Sequence, residues 1–451
     1  MYRASTGAFI AGCTAAGLVL LPPDNAAAQD TGRARLLTEA YNASGEGLFK
    51  QFPPGNVVFS PYSIGTAMAM ALAGARGETE REMIAALKQR LSRPELDVAN
   101  AAVLSILNGY DKSAAPPTCP AEMRVKDRRC EGSPGANGRC QFPAQREGEL
   151  CVAAPTYPPS AKLAVANALM LTRHGGLVAK SYETLLKDKY AAEVFRNATL
   201  DDVNGWVSRK TEGKIDRILE RLEPDSAAVL LNAVYFKAKW AAVFSKDATK
   251  DEAFNLTSSQ KVPVPMMRQV GTFSVLARPG YRAVRLPYEV RALGMVVVLP
   301  DAVDGLDDVS RRVGAEDLSQ IFAALRSADA SKRVDLALPR FKTGFKAELV
   351  KLFQEAGMRR AFNLNDADFS GVTGRPPSET PLAIGQIVHR AVIDVMEDGT
   401  EAAAATAITM VATSAPPSQP EVFRVDRPFL FYIVDDATGT ILFQGRVVDP
   451  R

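Results

Sequence analysis

Glu397-Asp398-Gly399-Thr400-Glu401 leads into Ala402-Ala403-Ala404-Ala405-Thr406-Ala407 and Ile408-Thr409-Met410-Val411-Ala412-Thr413-Ser414, and the stretch closes at Ala415-Pro416-Pro417. Between Glu401 and Pro416 it holds no charge, glycine or proline. Two readings compete. The alanine run favours helix on propensity alone. The flanks favour strand, because an acidic Gly turn precedes the run, a proline-rich exit follows it, and strand-like segments lie on both sides. If the stretch is extended, Thr400, Ala402, Ala404, Thr406, Ile408 and Met410 share one face, small residues first and larger ones later, while Glu401 points the other way. The segment is able to lie as a central strand, whatever it does at rest.

Working outward, the N-terminal half reads as helical. Leu36 to Phe52 is one helix. Ser60-Pro61 is a helix start that leads into an apolar helix from Ser63 to Ala75, with proline in the first turn and Gly74 and Gly77 near its end. Glu78 to Leu87, Asp97 to Leu107 and Ser181 to Lys189 follow. From Ala228 the pattern changes to strands: Val229 to Phe236, Gly294 to Leu299, Arg333 to Leu338, Ala391 to Met396, Leu430 to Val434 and Ile441 to Phe443. Helices first and strands later, with no βαβ rhythm, predict an α+β fold with large, largely antiparallel sheets.

One stretch differs from its surroundings. Residues 112–160 are rich in Pro, Gly and charge and carry Cys119, Cys130, Cys140 and Cys151. The spacing lacks close C-x-x-C pairs and no histidine is near, which argues against a metal site. Two disulfides are expected, with three connectivities open. Few of its apolar residues fall at any regular period, so the segment reads as a disulfide-stapled surface insertion, and Arg124, Lys126, Arg128 and Arg129 form a charge run more in keeping with a solvated face than with an exosite.

At the N-terminus, Arg3, the apolar Ala8 to Leu21, the break at Pro22-Pro23 and the small residues Ala26 to Ala28 predict a signal peptide over 1–28, leaving 29–451 as the mature domain. Secreted or periplasmic export is the expectation. Ile10-Ala11-Gly12-Cys13 also resembles a lipoprotein box, so attachment through Cys13 is the alternative.

The composition sets limits. The chain has 451 residues, is 47% apolar and 23% charged, and balances 54 Lys+Arg against 51 Asp+Glu, so nothing in it points to a nucleic-acid partner. Nor does any stretch after Leu21 look long enough to cross a membrane. Phosphate-binding loops, G-x-S-x-G and H-E-x-x-H are absent, and only His174 and His389 could serve as a catalytic base. His389 sits in the apolar run Ile387 to Ile393, where a buried, hydrogen-bonded histidine is the usual finding. No catalytic residue, cofactor or metal is expected.

The same residues resemble the serpins, large protease inhibitors that insert a reactive loop into a sheet. Glu397 to Thr406 is similar to the serpin hinge, and Phe423-Arg424-Val425-Asp426-Arg427-Pro428-Phe429-Leu430-Phe431 to the signature after the loop. Asn56 to Ile64, Gly213-Lys214-Ile215, Asn232 to Trp240 with Phe244, Val264-Pro265-Met266-Met267 and Asp368-Phe369-Ser370-Gly371 match in the family's order. The likeness runs from Leu36 to Pro450; the departures are the cysteine-bearing insertion, a longer exit after the loop and the alanine density of the hinge.

The resemblance implies three β-sheets behind N-terminal helices, and an exposed reactive centre loop over 397–420. It implies a monomer that traps a serine or cysteine protease as a covalent acyl-enzyme. Its hinge would be Glu397, Gly399, Thr400, Glu401, Ala402, Ala403, Ala404 and Ala405. Its reactive bond, counted from Glu397, would be Thr413-Ser414, with Ala412-Thr413 and Ser414-Ala415 as neighbours left open by the longer exit. Ser60, Ser63, Asn232 and His389 correspond to the buried shutter, and Trp240, Arg340 and Glu397 to the breach at the top of the sheet. With no Lys or Arg between Asp398 and Phe423, an elastase-like or subtilisin-like target fits better than a trypsin-like one. The rival reading is a non-inhibitory serpin acting as carrier, chaperone or storage protein.

Overall fold

The computed structural model describes residues 23–126, 129–135, 138–141, 143–171, 178–197, 199–221, 228–400 and 419–451, with backbone only over 23–29. The signal-peptide reading, Cys13, His174, Arg128, Glu401, Ala402 to Ala405 and the Thr413-Ser414 bond lie wholly or mainly outside those residues.

Helices wrap sheets, as the α+β expectation requires. The first helix is Pro23–Phe49, earlier at both ends than expected, and Pro53-Pro54 forbid its extension. The next, α1 (Pro61–Gly74), has the predicted start: Ser60 caps it by accepting from the Ser63 N–H at 3.0 Å, and Pro61 occupies the first turn. Every residue of α1 is buried, which explains its all-round apolar sequence. Arg93–Asn108 starts earlier than expected because Ser92 and Glu95 form a capping box ahead of the apolar pattern.

Six strands form the sheet that concerns function: β1 (Ala161–Leu171), β2 (Glu193–Arg196), β3 (Ala228–Lys239), β4 (Phe341–Glu348), β5 (Ile384–Met396) and the two-residue β6 (Gly399–Thr400), in the order β4-β5-β6-β3-β1-β2. β1 had no expectation attached. Its Ala-rich run lacks a period of two because eight of its 11 residues are buried, on both faces. A nine-stranded sheet lies behind. It is organised around one long strand, Lys261–Arg278, whose residues 274–278 pair with Tyr281–Pro287 while residues 261–274 hold Lys250–Asn255 and Ser331–Pro339. It therefore reads as two strand groups on one shared strand, and with the six-stranded sheet these make the three expected. Pairings are mostly antiparallel, with parallel exceptions at β1/β2, β3/β5 and Ser331–Pro339/Glu421–Arg424 among the described residues. Helix α2 (Leu200–Lys210) crosses the outer face, where Val203, Trp206 and Val207 pack on Ala166, Ala168, Val229, Leu231, Ala233 and Val388.

The insertion has structure of its own: Arg124–Lys126, Arg129–Gly132, Gln145–Glu147 and Leu150–Ala153 form a four-stranded sheet. The disulfides are Cys119–Cys130 and Cys140–Cys151, each with Cα atoms 5.5 Å apart. Cys130 and Cys151 are buried in this small sheet, so the bridges replace the apolar core that strands of three or four residues cannot supply. Such bridges suit an oxidising compartment. A narrow neck joins the sheet to the body: Thr118 and Thr156 exchange N–H···O bonds of 2.8 and 2.9 Å, and the Ala161 N–H donates to the Tyr110 carbonyl at 3.0 Å. Among the described residues no helix is long and apolar enough to cross a membrane, and no group of three or more His, Cys, Asp or Glu is arranged to hold a metal.

Candidate functional site

The candidate site is the seam between β3 and β5. From Ile384/Ala228 to Val392/Tyr235 these strands pair directly and in parallel. Above that level the chain leaves β5 at Met396, turns through Glu397 and Asp398, and comes back as β6 between them. Thr400 is then flanked antiparallel by Val395 on β5 and Ala238 on β3. The expected hinge thus begins inside the sheet. Thr400 is fully buried, and its hydroxyl shares a 2.8 Å hydrogen bond with the Tyr288 hydroxyl.

Gly399 cannot be another residue here. Its φ is +149°, and a Cβ would lie 2.2 Å from the Ala238 carbonyl oxygen.

The turn is fastened by the residues expected at the breach. The Trp240 indole N–H donates to the Met396 carbonyl at 3.0 Å, the Trp240 backbone N–H to the Asp398 carbonyl at 3.1 Å, and the Phe244 N–H to the Glu397 carbonyl at 3.0 Å. Trp240 stacks on Tyr288, with ring centroids 4.5 Å apart. The Glu397 carboxylate pairs with the Arg340 guanidinium and accepts from the Thr249 hydroxyl at 2.7 Å. Burial of this carboxyl works to raise its pKa, but the bonds from Arg340 and Thr249 win and hold it below the usual carboxylate range. It is therefore ionised at neutral pH. Asp398 lies 3.4 Å from Lys246.

Lower down, the four expected shutter residues meet in one buried network. His389 and Asn232 are direct neighbours across the β3/β5 pair, and Asn167 on β1 extends the row. The Ser60 N–H donates to His389 Nε2 at 3.3 Å, so Nδ1 carries the proton and donates to Asn232 Oδ1. The Asn232 amide nitrogen in turn donates to the Ser63 carbonyl at 2.9 Å and to Asn167 Oδ1. Complete burial depresses the His389 pKa to about 3, and the ring is neutral. A buried neutral histidine held at both nitrogens is a support, not a base.

Three partners escaped the sequence reading. Asn167 is the lone polar residue of Val165 to Leu169, a visible signal in a strand that shows no period of two. Thr249 and Tyr288 carried no signal, since they reach the hinge only through the fold. The insertion's Lys126 and Arg129 pair with Glu131 at 3.5 and 2.9 Å, and Arg129 also with Glu147 at 3.3 Å.

Comparisons with known proteins agree with this architecture. The family model described as Serpin (serine protease inhibitor) matches residues 45–127 and 143–450, and the break falls within the stapled insertion. A serpin-like protein of Thermococcus kodakarensis is 33% identical, covering 93% of this chain and 87% of its own. Iripin-2 of Ixodes ricinus is 32% identical (91% and 93% covered), and human Serpin B3 is 31% identical (92% and 99%). Among solved structures, the thermophilic serpin tengpin in its native state superimposes with a TM-score of 0.71 at 23% identity, covering 91% of this chain and 94% of that one. Human thyroxine-binding globulin complexed with thyroxine gives 0.70 at 23% identity, with 93% and 99% covered. The family match and these relatives show that the chain belongs to the serpins, a family whose members are generally protease inhibitors rather than enzymes.

Proposed function

We propose that this serpin traps a serine protease as an acyl-enzyme, by inserting the cleaved segment 399–413 between β3 and β5. The observation that carries the reading is the mixed state of the seam: Gly399 and Thr400 are seated between two strands that still pair directly below them. Attack on the loop leaves the protease esterified to Thr413, or to a neighbouring residue. The freed strand then exchanges one parallel contact for two antiparallel ladders. About fifteen residues at roughly 3.3 Å each span about 50 Å, enough to carry the attached protease the length of the sheet.

The side chains support the same path. Thr400 points to Tyr288 and the core, so Ala402, Ala404, Thr406, Ile408 and Met410 would follow inward. Small residues come first and enter a packed sheet without overpacking it. Counting from Thr400 along both flanks, Thr406 would fall between Asn232 and His389. An inserted strand separates those two by an extra strand spacing of about 4.8 Å and breaks their hydrogen bond, and a threonine hydroxyl is able to bond to both.

Met410-Val411-Ala412-Thr413 before the bond, and the absence of Lys and Arg from Gly399 to Phe423, suit a shallow apolar specificity pocket of elastase-like or subtilisin-like type. The test incubates mature protein with elastase, subtilisin and trypsin. A denaturant-resistant band near the summed masses, with a C-terminal fragment starting at or near Ser414, is expected from the first two. If each protease merely degrades the loop and stays active, the carrier, chaperone or storage reading replaces this one.

A further inference from the structure

Among the described residues, two buried polar atoms along the β3/β5 seam have no hydrogen-bond partner: the amide oxygen of Gln386 on β5 and the hydroxyl of Tyr235 on β3. A buried polar group left unpaired destabilises the state that holds it. Both side chains lie on the face covered by α2, since Gln386 is two residues before Val388, Tyr235 is two after Ala233, and Val388 and Ala233 both pack in the cluster under that helix.

Gln386 sits at the far end of the seam, directly across from Val229. Nine residues on from Thr400, an antiparallel strand reaches Val229 on one flank and Gln386 on the other, and the residue at that count is Thr409. The two flanks agree because Gln386 and Val229 are already partners. Thr400 faces the core, so Thr409 would face α2, as Gln386 does. Directly opposed residues have Cβ atoms about 5 Å apart, within reach of a hydroxyl and an amide. The hydroxyl donates to Oε1 or, with the amide turned over, accepts from Nε2. By the same count Tyr235 falls opposite Ala403, which brings no polar atom.

We infer that Gln386 is a positioning residue for the inserted strand: its oxygen is unpaired at rest, and its partner is the hydroxyl of Thr409, delivered when the strand has passed the His389 level. The inference rests on the insertion mechanism proposed above. It makes one buried amide work twice, raising the free energy of the resting sheet and lowering that of the filled one.

The experiment compares full-length wild type, Gln386→Leu, Thr409→Val and the double variant, each intact and after loop cleavage, by thermal scans at one guanidinium concentration in which the cleaved wild type melts. Gln386→Leu should leave the intact form unchanged or more stable and lower the cleaved form's midpoint by about 1–3 °C. Thr409→Val should lower it similarly, and the double variant should fall no further, because the second change removes a partner already lost. Gln386→Met repeats the measurement in case the leucine variant does not fold. Additive losses, or an unchanged cleaved form in Gln386→Leu and Gln386→Met, would overturn the pairing while leaving insertion intact. Should wild type gain no stability on cleavage, the insertion mechanism itself fails and the pairing falls with it.

Discussion

The upper and lower parts of one seam behave oppositely. At the top, β3 and β5 are parted by Gly399 and Thr400, and the wedge is fastened by Trp240, Glu397 and Tyr288. Lower down the same strands are closed, and the polar row Asn167–Asn232–His389 with Ser60 and Ser63 ties them to α1. The polar row adds specificity, each of its bonds netting only about 1 kcal/mol, to a seam whose other residues, among them Leu230, Leu231, Ile387 and Val388, are buried and apolar. The difference teaches that the same two strands hold a third between them at one end and pair directly, across a buried polar row, in the middle.

The largest effects should come from the wedge. Cleaving the loop of the wild type should raise its melting temperature, because insertion adds a central strand and buries Ile408 and Met410, each worth about 1.5–3 kcal/mol. Thr400→Arg should abolish most of this. The position is fully buried even at rest, and a guanidinium there costs several kcal/mol without a partner. A gel should show cleaved serpin and free protease in place of the covalent band; undiminished inhibition by this variant would contradict the seam mechanism.

Gly399→Val comes next. Its Cβ would collide with the Ala238 carbonyl and the backbone would be strained at φ +149°, so the wedge should leave the resting sheet. Faster amide exchange at Thr400 together with slower inhibition is the expected pair of readings. Unchanged exchange would mean that the wedge tolerates a side chain.

The polar row should respond to pH. The His389 pKa lies at about 3 in the folded protein against 6.5 for an unperturbed imidazole, so between those values the unfolded chain holds a proton that the resting form lacks. Its contribution is present in full above pH 6.5 and is lost as pH falls towards 3, at up to about 1.4 kcal/mol per pH unit. Urea midpoints at pH 7 and 5 should therefore diverge more for wild type than for His389→Gln; equal divergence would show that carboxylates alone set the slope.

The smallest effect should come from the insertion. Replacing residues 113–159 with a two-glycine turn should leave the fold and the inhibition rate nearly unchanged, since the ends are already held by the Tyr110–Ala161 bond. A lost fold would mean that the small sheet supports the body.

Much of this was legible in local sequence. Ser60 and Pro61 announce a helix start through rules that act within one turn. Gly399 declares the tight reversal that brings Thr400 into the sheet. The even cysteine set declares two bridges. Local rules leave Ala161–Leu171 unread, because burial on both faces erases the period of two, and do not reveal the small sheet of the insertion, because its core is sulfur rather than aliphatic carbon.

The pairing of Cys119 with Cys130, the meeting of Asn167, Asn232 and His389, and the seating of Thr400 against Tyr288 were decided by the tertiary structure alone. Asn232 and His389 are 157 positions apart, and Thr400 and Tyr288 are 112 apart. Capping, propensity and periodicity extend over a turn or two and cannot relate such residues. Their contact follows from strand order and register, which the packing of the whole chain sets.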